Sequence, residues 1–295
     1  MTSAPALSII LPAKNESASI GGLVTRLRET LRQAEIIVVD DGSSDDTAAQ
    51  ATAAGARVIH NPVSRGNGAA VKAGARAANG TIMVFMDADG QHDPASIPAL
   101  LARLDSGYDM AVGARSSQMH AGWPRRLANR IYNVLASWIT GVKIADLTSG
   151  FRAARADVFR QFITLLPNGF SYPTTSTMAF LRGGYNVAFE PVEVQARESA
   201  SRSHIRPLRD GARFLVIIFK VATLYSPLKV YLPFSALFFL TGLGYYGYTL
   251  ATAGRFTNLG ALLFTASIVV FLIGLVSEQI TTLFYLNADR TRRDA

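Results

Sequence analysis

Asp87-Ala88-Asp89 sets two carboxylates one residue apart, directly after the apolar run Ile82-Met83-Val84-Phe85-Met86. At the exposed end of a buried strand, such a pair is a hard-oxygen site suited to Mg²⁺ or Mn²⁺. An ion there would be shared with substrate phosphates and would neutralise charge building on a departing diphosphate. The alternative is two solvated carboxylates in a loop. A second acidic cluster, Asp40-Asp41-Gly42-Ser43-Ser44-Asp45-Asp46-Thr47, follows the apolar run Ile36 to Val39. Carboxylates repel phosphate but accept hydrogen bonds from a nucleobase N–H or a ribose hydroxyl. Asp40 is expected to contact a ligand, and Asp45 and Asp46 to cap a helix. Pro12-Ala13-Lys14-Asn15-Glu16 could wall the same pocket. Arg65-Gly66-Asn67-Gly68 opens a further helix. Its glycines either let a phosphate approach closely or allow tight packing of helix on strand.

These clusters need elements to position them. Ser8 to Leu11, Ile36 to Val39, Arg57 to Ile59, Thr81 to Met86 and Asp109 to Gly113 read as strands. Ile20 to Leu31, Asp45 to Ala54, Gly68 to Ala78, Pro94 to Leu104 and Arg125 to Thr140 read as helices. Alternation of the two argues for a mostly parallel sheet with helices on both faces. Ligands of such sheets bind beyond the carboxyl ends of the strands, and the polar clusters fall there.

The last third is of another kind. No charge occurs between Val230 and Gly254, nor between Phe256 and Ser277. Each stretch is long enough for a helix to cross a hydrocarbon core of roughly 30 Å, and a short turn separates them. A transmembrane hairpin is expected, with spans near 230–252 and 259–280; two buried core helices are the alternative. Seven Lys or Arg against two acids lie between Arg197 and Lys229, and Arg290, Arg292 and Arg293 follow the second span, whereas the turn holds only Arg255. The positive-inside rule places both flanks in the cytoplasm. Residues 207–229 mix basic and apolar side chains as an amphipathic interface helix would, although a plain connecting helix fits too. Met1 to Ala6 lead straight into a strand without a signal-peptide pattern. The net charge of +8 clusters beside the spans, which suits an anionic membrane and not nucleic acid. Cysteine is absent, which excludes disulfides and thiolate metal sites, and the four histidines have no metal-type spacing.

Taken together, several ordered motifs resemble those of family 2 glycosyltransferases of the GT-A fold, in the branch of dolichyl- and polyprenyl-phosphate sugar synthases. They are Pro12 to Glu16, Asp40 to Thr47, Gly66-Asn67-Gly68, Asp87-Ala88-Asp89-Gly90-Gln91-His92-Asp93-Pro94, Gly113-Ala114-Arg115 and Asp146-Leu147-Thr148-Ser149-Gly150-Phe151-Arg152. The appended hairpin resembles bacterial members. The resemblance implies an α/β, Rossmann-like catalytic domain over 1–206, an amphipathic helix over 207–229, a hairpin over 230–286 and a cytoplasmic tail over 287–295. It implies a multi-pass protein of the inner (plasma) membrane, with the catalytic domain and both termini cytoplasmic. Pro12, Ala13, Glu16 and Asp40 would lie against the nucleotide of a UDP- or GDP-sugar donor, with Asp87, Ala88 and Asp89 at its diphosphate. Asp87, Asp89 and Gln91 would surround Mg²⁺ or Mn²⁺. Arg115, Arg126, Arg130, Arg202 and Ser203 would face the phosphate of a polyprenyl acceptor. Asp89, Asp146 and Arg115 would carry the catalysis.

Asp146 has three readings. Transfer to a sugar hydroxyl needs a carboxylate base. A lipid phosphate is already largely anionic, its second pKa being about 6, and Asp146 would then orient an arginine or the donor sugar. It could also simply cap the turn at Thr148-Ser149-Gly150. The segment Phe170 to Phe180 leads into a helix, and its hydroxyls could face the donor sugar or lipid head group or cap that helix. Trp123 and Trp138 flank a helix that could meet the membrane, the acceptor site or the core. The expected activity is inverting transfer of a sugar to undecaprenyl phosphate, for cell-envelope glycan. Diacylglycerol or a lipid-linked saccharide is the alternative acceptor, and a silent nucleotide- or lipid-binding scaffold is the non-enzymatic one. A two-span hairpin could also pack against copies of itself.

Overall fold

The computed structural model describes residues 6–115, 123–169, 171–193, 223 and 225–293. The chain divides into two compact units, Met1–Arg206 and Pro207–Ala295. Of the amphipathic segment expected over 207–229, residues 207–222 and 224 lie outside the described residues, and 227–229 open the first helix of the hairpin.

The first unit is built on seven strands: β1 Leu7–Ala13, β2 Glu35–Asp40, β3 Arg57–His60, β4 Ile82–Phe85, β5 Met110–Arg115, β6 Arg152–Arg155 and β7 Val187–Val192. Their order is β3-β2-β1-β4-β6-β5-β7. Pairing is parallel except at β6, which runs opposite to both β4 and β5. Helices α1 Ser17–Thr30, α2 Thr47–Ala53, α3 Asn67–Ala77, α4 Ile97–Asp105, α5 Trp123–Thr140, α6 Ala156–Gln161 and α7 Tyr172–Arg182 cover it. Alternate strand residues serve opposite faces. Ile9, Leu11, Val38 and Val84 join Leu23, Leu27 and Leu100 in one core. Ile10 and Val39 instead meet α3, where a Cβ on Gly74 would come within 2.4 Å of Ile10. The expected strands and helices are therefore present with ends shifted by a few residues. β6 and β7 are additions.

β6 shapes the polar edge of the sheet more than any other strand. Because it is antiparallel, its first residue, Arg152, pairs with Phe85 and Val112 near the carboxyl ends of β4 and β5. The loop leading into it, Asp146 to Phe151, therefore arrives at the same sheet edge as Asp40, Asp87 and Arg115.

The loops at that edge are tied together by short polar side chains. Asn15 Oδ1 accepts the Ser44 amide at 2.8 Å, and Ser43 Oγ accepts the Asn15 amide at 3.0 Å. Asp45 takes the amides of Ser17 at 3.2 Å and Thr47 at 3.1 Å, so it caps the starts of α1 and α2. Burial opposes its charge, but these bonds hold its carboxyl at about 2. Asp46 occupies the N-cap position of α2 with no side-chain cap bond. Asp41, 4% exposed, organises the loop into α3. Its carboxylate accepts Ser64 Oγ at 2.7 Å, the Gly66 amide at 2.8 Å, the Arg65 amide at 2.9 Å and Asn61 Nδ2 at 3.3 Å.

In the second unit, α8 Pro227–Ala253 and α9 Asn258–Arg293 form a hairpin. Both are long and apolar enough to cross a membrane, α9 over Asn258–Leu283. Gly254, in the left-handed region, ends α8. Ser235 Oγ donates to the Ser267 carbonyl at 2.9 Å and Ser267 Oγ to the Ser235 carbonyl at 3.0 Å. Gly242 and Gly274 admit Leu263 and Tyr231. Small residues and shared hydroxyls at the seam are what helix pairing in lipid uses. α9 continues unbroken through residues expected to be tail.

Burial would push the Asp41 carboxyl up, but bonds from Arg65, Ser64, Gly66 and Asn61 bring it below the ordinary aspartate value. A value lowered on folding adds stability above about 3.9, and that stability is lost as pH falls through the lowered value. We expect Asp41→Asn to lower the thermal midpoint of the full chain at pH 7 by roughly 3–8 °C. The gap to wild type should close as pH drops below about 4. An unchanged gap down to pH 3 would show that the charge of Asp41 is irrelevant.

Candidate active site

The polar edge divides into three groups. The first surrounds Asp40. It is 1% exposed, accepts the Ser43 amide at 2.9 Å, and lies 2.7 Å from Nδ1 of the half-exposed His60. Pro12 and Ala13 are buried beside it, and the Ala13 carbonyl receives the Asp41 amide at 2.9 Å. Glu16 is partly buried at the start of α1, its amide donating to Thr47 Oγ1 at 2.8 Å. Pro12 and Ala13 thus lie along β2 beside Asp40, and Glu16 follows them at the start of α1.

The second group is Asp87 and Asp89. Ser19 of α1 donates to the Ala88 carbonyl at 2.8 Å, which fixes the turn between the two carboxylates. Asp89 accepts the Gln91 amide at 3.2 Å. Asp87 receives a hydrogen bond from the Asn67 side chain. Gly150 lies against it: a Cβ there would stand 2.7 Å from Asp87 Oδ2. Burial first, then the charge of Asp89, pushes the Asp87 carboxyl up to about 6, with Arg152 and Arg115 pulling the other way. Among the described residues no third His, Cys, Asp or Glu completes a metal cage. Two mutually repelling carboxylates with open coordination nonetheless fit a divalent ion that keeps water and phosphate as its other ligands.

At the opening of α3 the backbone is already engaged by another loop. The amides of Gly68 and Ala69 donate to the carbonyls of Gly169 and Asn168, at 3.2 and 2.9 Å. A Cβ on Gly66 would come within 2.7 Å of the Asn168 carbonyl oxygen, and one on Gly68 within 2.0 Å of that of Pro167. These glycines admit the backbone of residues 167–169.

The third group joins Arg115 to Asp146. Arg115 Nε meets Asp146 Oδ2 at 2.7 Å and Nη2 meets Oδ1 at 3.1 Å, a two-pronged pair. Arg115 Nη2 also donates to Thr148 Oγ1 at 2.6 Å. The Thr148 amide and hydroxyl both reach Asp146 Oδ1, at 3.0 and 3.1 Å. Burial would raise the Asp146 carboxyl, but Arg115 and the Thr148 amide hold it below the usual range. Arg115 remains 39% exposed on its side chain, against 10% for Asp146. Arg115 therefore keeps part of its side chain accessible while Nε and Nη2 are held by Asp146 and Thr148.

Arg152, part of a motif but given no role from the sequence, is wholly buried. Its Nη1 donates to the Pro173 carbonyl at 2.9 Å, Ser176 Oγ at 2.7 Å and Thr177 Oγ1 at 3.2 Å, and its Nη2 to the Ser149 carbonyl. The Tyr172 ring lies 5.7 Å from the guanidinium carbon. The hydroxyls of Ser176 and Thr177 thus grip a cation, which is neither of the roles weighed for them. His92 stacks on Phe151 with ring centres 4.8 Å apart, and burial drives its imidazole down to about 4, so it is neutral at pH 7. Arg130 is exposed on α5 without an ion pair among the described residues. The Arg126 side chain, Arg202 and Ser203 lie outside the described residues.

A mixed sheet covered by helices, with paired carboxylates in the turn after a central strand, is the architecture of GT-A glycosyltransferases. Residues 8–163 match the model of glycosyl transferase family 2, and the chain belongs to that family. Residues 226–283 match the GtrB C-terminal hairpin. Polyprenol monophosphomannose synthase of Mycolicibacterium smegmatis is 30% identical over 205 residues, 64% of this chain and 77% of that one. Undecaprenyl-phosphate 4-deoxy-4-formamido-L-arabinose transferase of Serratia proteamaculans is 34% identical over 188 residues, 57% of each chain. Glucosyl-3-phosphoglycerate synthase of Mycobacterium tuberculosis, solved with Mn²⁺ and UDP-glucose, superposes with a TM-score of 0.57 at 26% identity, over 72% of this chain and 77% of that one.

Gly150 yields a direct test of the Asp87 site. We expect Gly150→Ala to displace the Asp87 carboxylate from its partners and to lower the thermal midpoint as well. Transfer should fall by up to about 100-fold. Full activity in the variant would mean that the carboxylate's position is unimportant.

Proposed function

We propose that the chain is a metal-dependent, inverting glycosyltransferase. It moves a sugar from a UDP- or GDP-sugar to polyprenyl phosphate, undecaprenyl phosphate in a bacterium, and so supplies a lipid-linked sugar for cell-envelope glycan. The observation that carries this reading is the Arg115–Asp146 pair. Asp146 is held ionised by Arg115 and Thr148, so its oxygens are committed and it is a poor proton acceptor. His92, neutral with a value near 4, is a weak base as well. A hydroxyl acceptor would need a base, whereas a phosphate monoester arrives already anionic and needs a fixed cation. Arg115 provides one, and a guanidinium suits two-pronged contact with phosphate oxygens.

In this reading a phosphate oxygen of the acceptor, oriented by Arg115, attacks the anomeric carbon from the face opposite the diphosphate. The new C–O bond forms as the bond to the diphosphate oxygen breaks, and the configuration inverts. Asp87 and Asp89 would hold Mg²⁺ or Mn²⁺, with Gln91 beside them, and such an ion supplies neutralisation of the leaving diphosphate. Asp40, with Pro12, Ala13 and Glu16, would contact the nucleotide. Arg126, Arg130, Arg202 and Ser203 would add to the acceptor side. The charge pattern around the hairpin supports an inner-membrane protein whose catalytic unit and both ends are cytoplasmic. The named relatives that act on polyprenyl phosphates, and the solved neighbour that holds Mn²⁺ with UDP-glucose, support the same reading.

The assay is a panel of radiolabelled UDP- and GDP-sugars with undecaprenyl phosphate, full-length protein, and Mn²⁺ or Mg²⁺. One donor should give labelled lipid, and EDTA should abolish it. No labelled lipid from any donor would overturn the proposal. Asp146→Asn should then reduce kcat/KM by about 10- to 100-fold, mainly through the acceptor KM. Near-total loss of kcat would point instead to a hydroxyl acceptor with Asp146 as base.

A further inference from the structure

Arg115 ends β5, and Asp146 follows 31 residues later. Between them the chain leaves the sheet, forms α5 and returns. The ion pair closes this excursion, yet it does not fix its own place. Asp146 stands on a stretch, 141–149, that has neither helix nor strand, so its backbone must be held by something else.

Asn133 of α5 holds it. Its Nδ2 donates to the Ala145 carbonyl at 2.7 Å, and its Oδ1 accepts the Leu147 amide at 3.1 Å. Ala145 and Leu147 are the two residues flanking Asp146. One side-chain amide thus takes the backbone on both sides of the carboxylate that orients Arg115, offering donor and acceptor as a paired strand would. α5 is itself a fixed point: Tyr132, Ala136 and Ile139 are buried, and Tyr132 hydrogen-bonds Thr174 of α7. One turn further along, Ser137 Oγ accepts the Ile144 amide at 2.9 Å. The chemistry is selective for asparagine. Alanine offers neither bond. Aspartate keeps the shape and the acceptor but turns a lone pair toward the Ala145 carbonyl.

We propose that Asn133 is a positioning residue for the acceptor side, which clamps the backbone around Asp146 and thereby sets the direction in which Arg115 presents its guanidinium. The proposal rests on the reading of Arg115 as the ligand of the acceptor phosphate.

The test uses full-length protein with the donor found in the panel assay and undecaprenyl phosphate. KM for each substrate and the thermal midpoint are measured for wild type, N133A, N133D, R115K and the double variant R115K/N133A. In N133A the acceptor KM should rise roughly 5- to 100-fold, as expected for two lost hydrogen bonds, with the donor KM within about twofold. On the R115K background the added effect of N133A should shrink to about twofold or less, because the residues act through one another. N133D, isosteric and spared a packing defect, should raise the acceptor KM as well. Independent, multiplying losses in the double variant, or an N133D enzyme with wild-type acceptor KM, would overturn the proposal. If N133A and R115K both raised only the donor KM, and without additivity, Asn133 would stand as the residue that positions Arg115. The acceptor role of Arg115 would then fall.

Discussion

Asp87 places a carboxylate at the end of a buried strand, where water is scarce and a second carboxylate stands two residues away. Charge in such a place is unfavourable unless opposite charge or hydrogen bonds meet it. Much of the surrounding architecture answers that constraint. Asn67 donates from α3, Gly150 leaves room for the carboxylate, and Arg152 stands buried behind it. Arg152 is a buried cation in its turn, and the first turns of α7 supply the carbonyl and hydroxyl oxygens that solvate it. A chain of compensations thus runs from the sheet edge to a helix far along the sequence. In the proposed reading, a divalent ion would meet the negative charge that remains at Asp87 and Asp89.

The part of this arrangement legible in the sequence is the local part. β1, β2, β4 and β5 announce themselves as apolar runs ended by polar residues, and that is enough to place Asp40, Asp87 and Arg115 on one edge. The hairpin is legible for a similar reason, since two uncharged stretches leave little other option. β6 is not legible. Arg152-Ala153-Ala154-Arg155 has no apolar run and is a strand only because β4 and β5 offer it ladders on both sides. Arg152 escapes for the same reason: an arginine reads as a surface residue until hydroxyls 24 and 25 residues later are seen to enclose it. The glycines opening α3 are readable as sites of close approach. What approaches is the backbone of residues 167–169, which no nearby residue signals.

The carboxylates of the edge differ in how they are satisfied, and this separates their chemistry. Asp41 and Asp45 are saturated by amides and hydroxyls, and they hold loops. Asp146 is saturated by a guanidinium and holds a side chain. Asp87 alone among those with a resolved shift is pushed toward the neutral form. Burial and a like charge nearby thus set Asp87 apart from the carboxylates that hold loops or a side chain.

The closure of the excursion after β5 has a further consequence. Its two ends meet side by side, at a bond between Arg115 and Asp146, and the sheet continues on either side as though nothing intervened. A segment with adjoining ends can change length and content at little entropic penalty to the rest of the fold. Such variation is confined to the part of the segment that leaves Asn133 and the buried face of α5 in place, because these hold the backbone on both sides of Asp146.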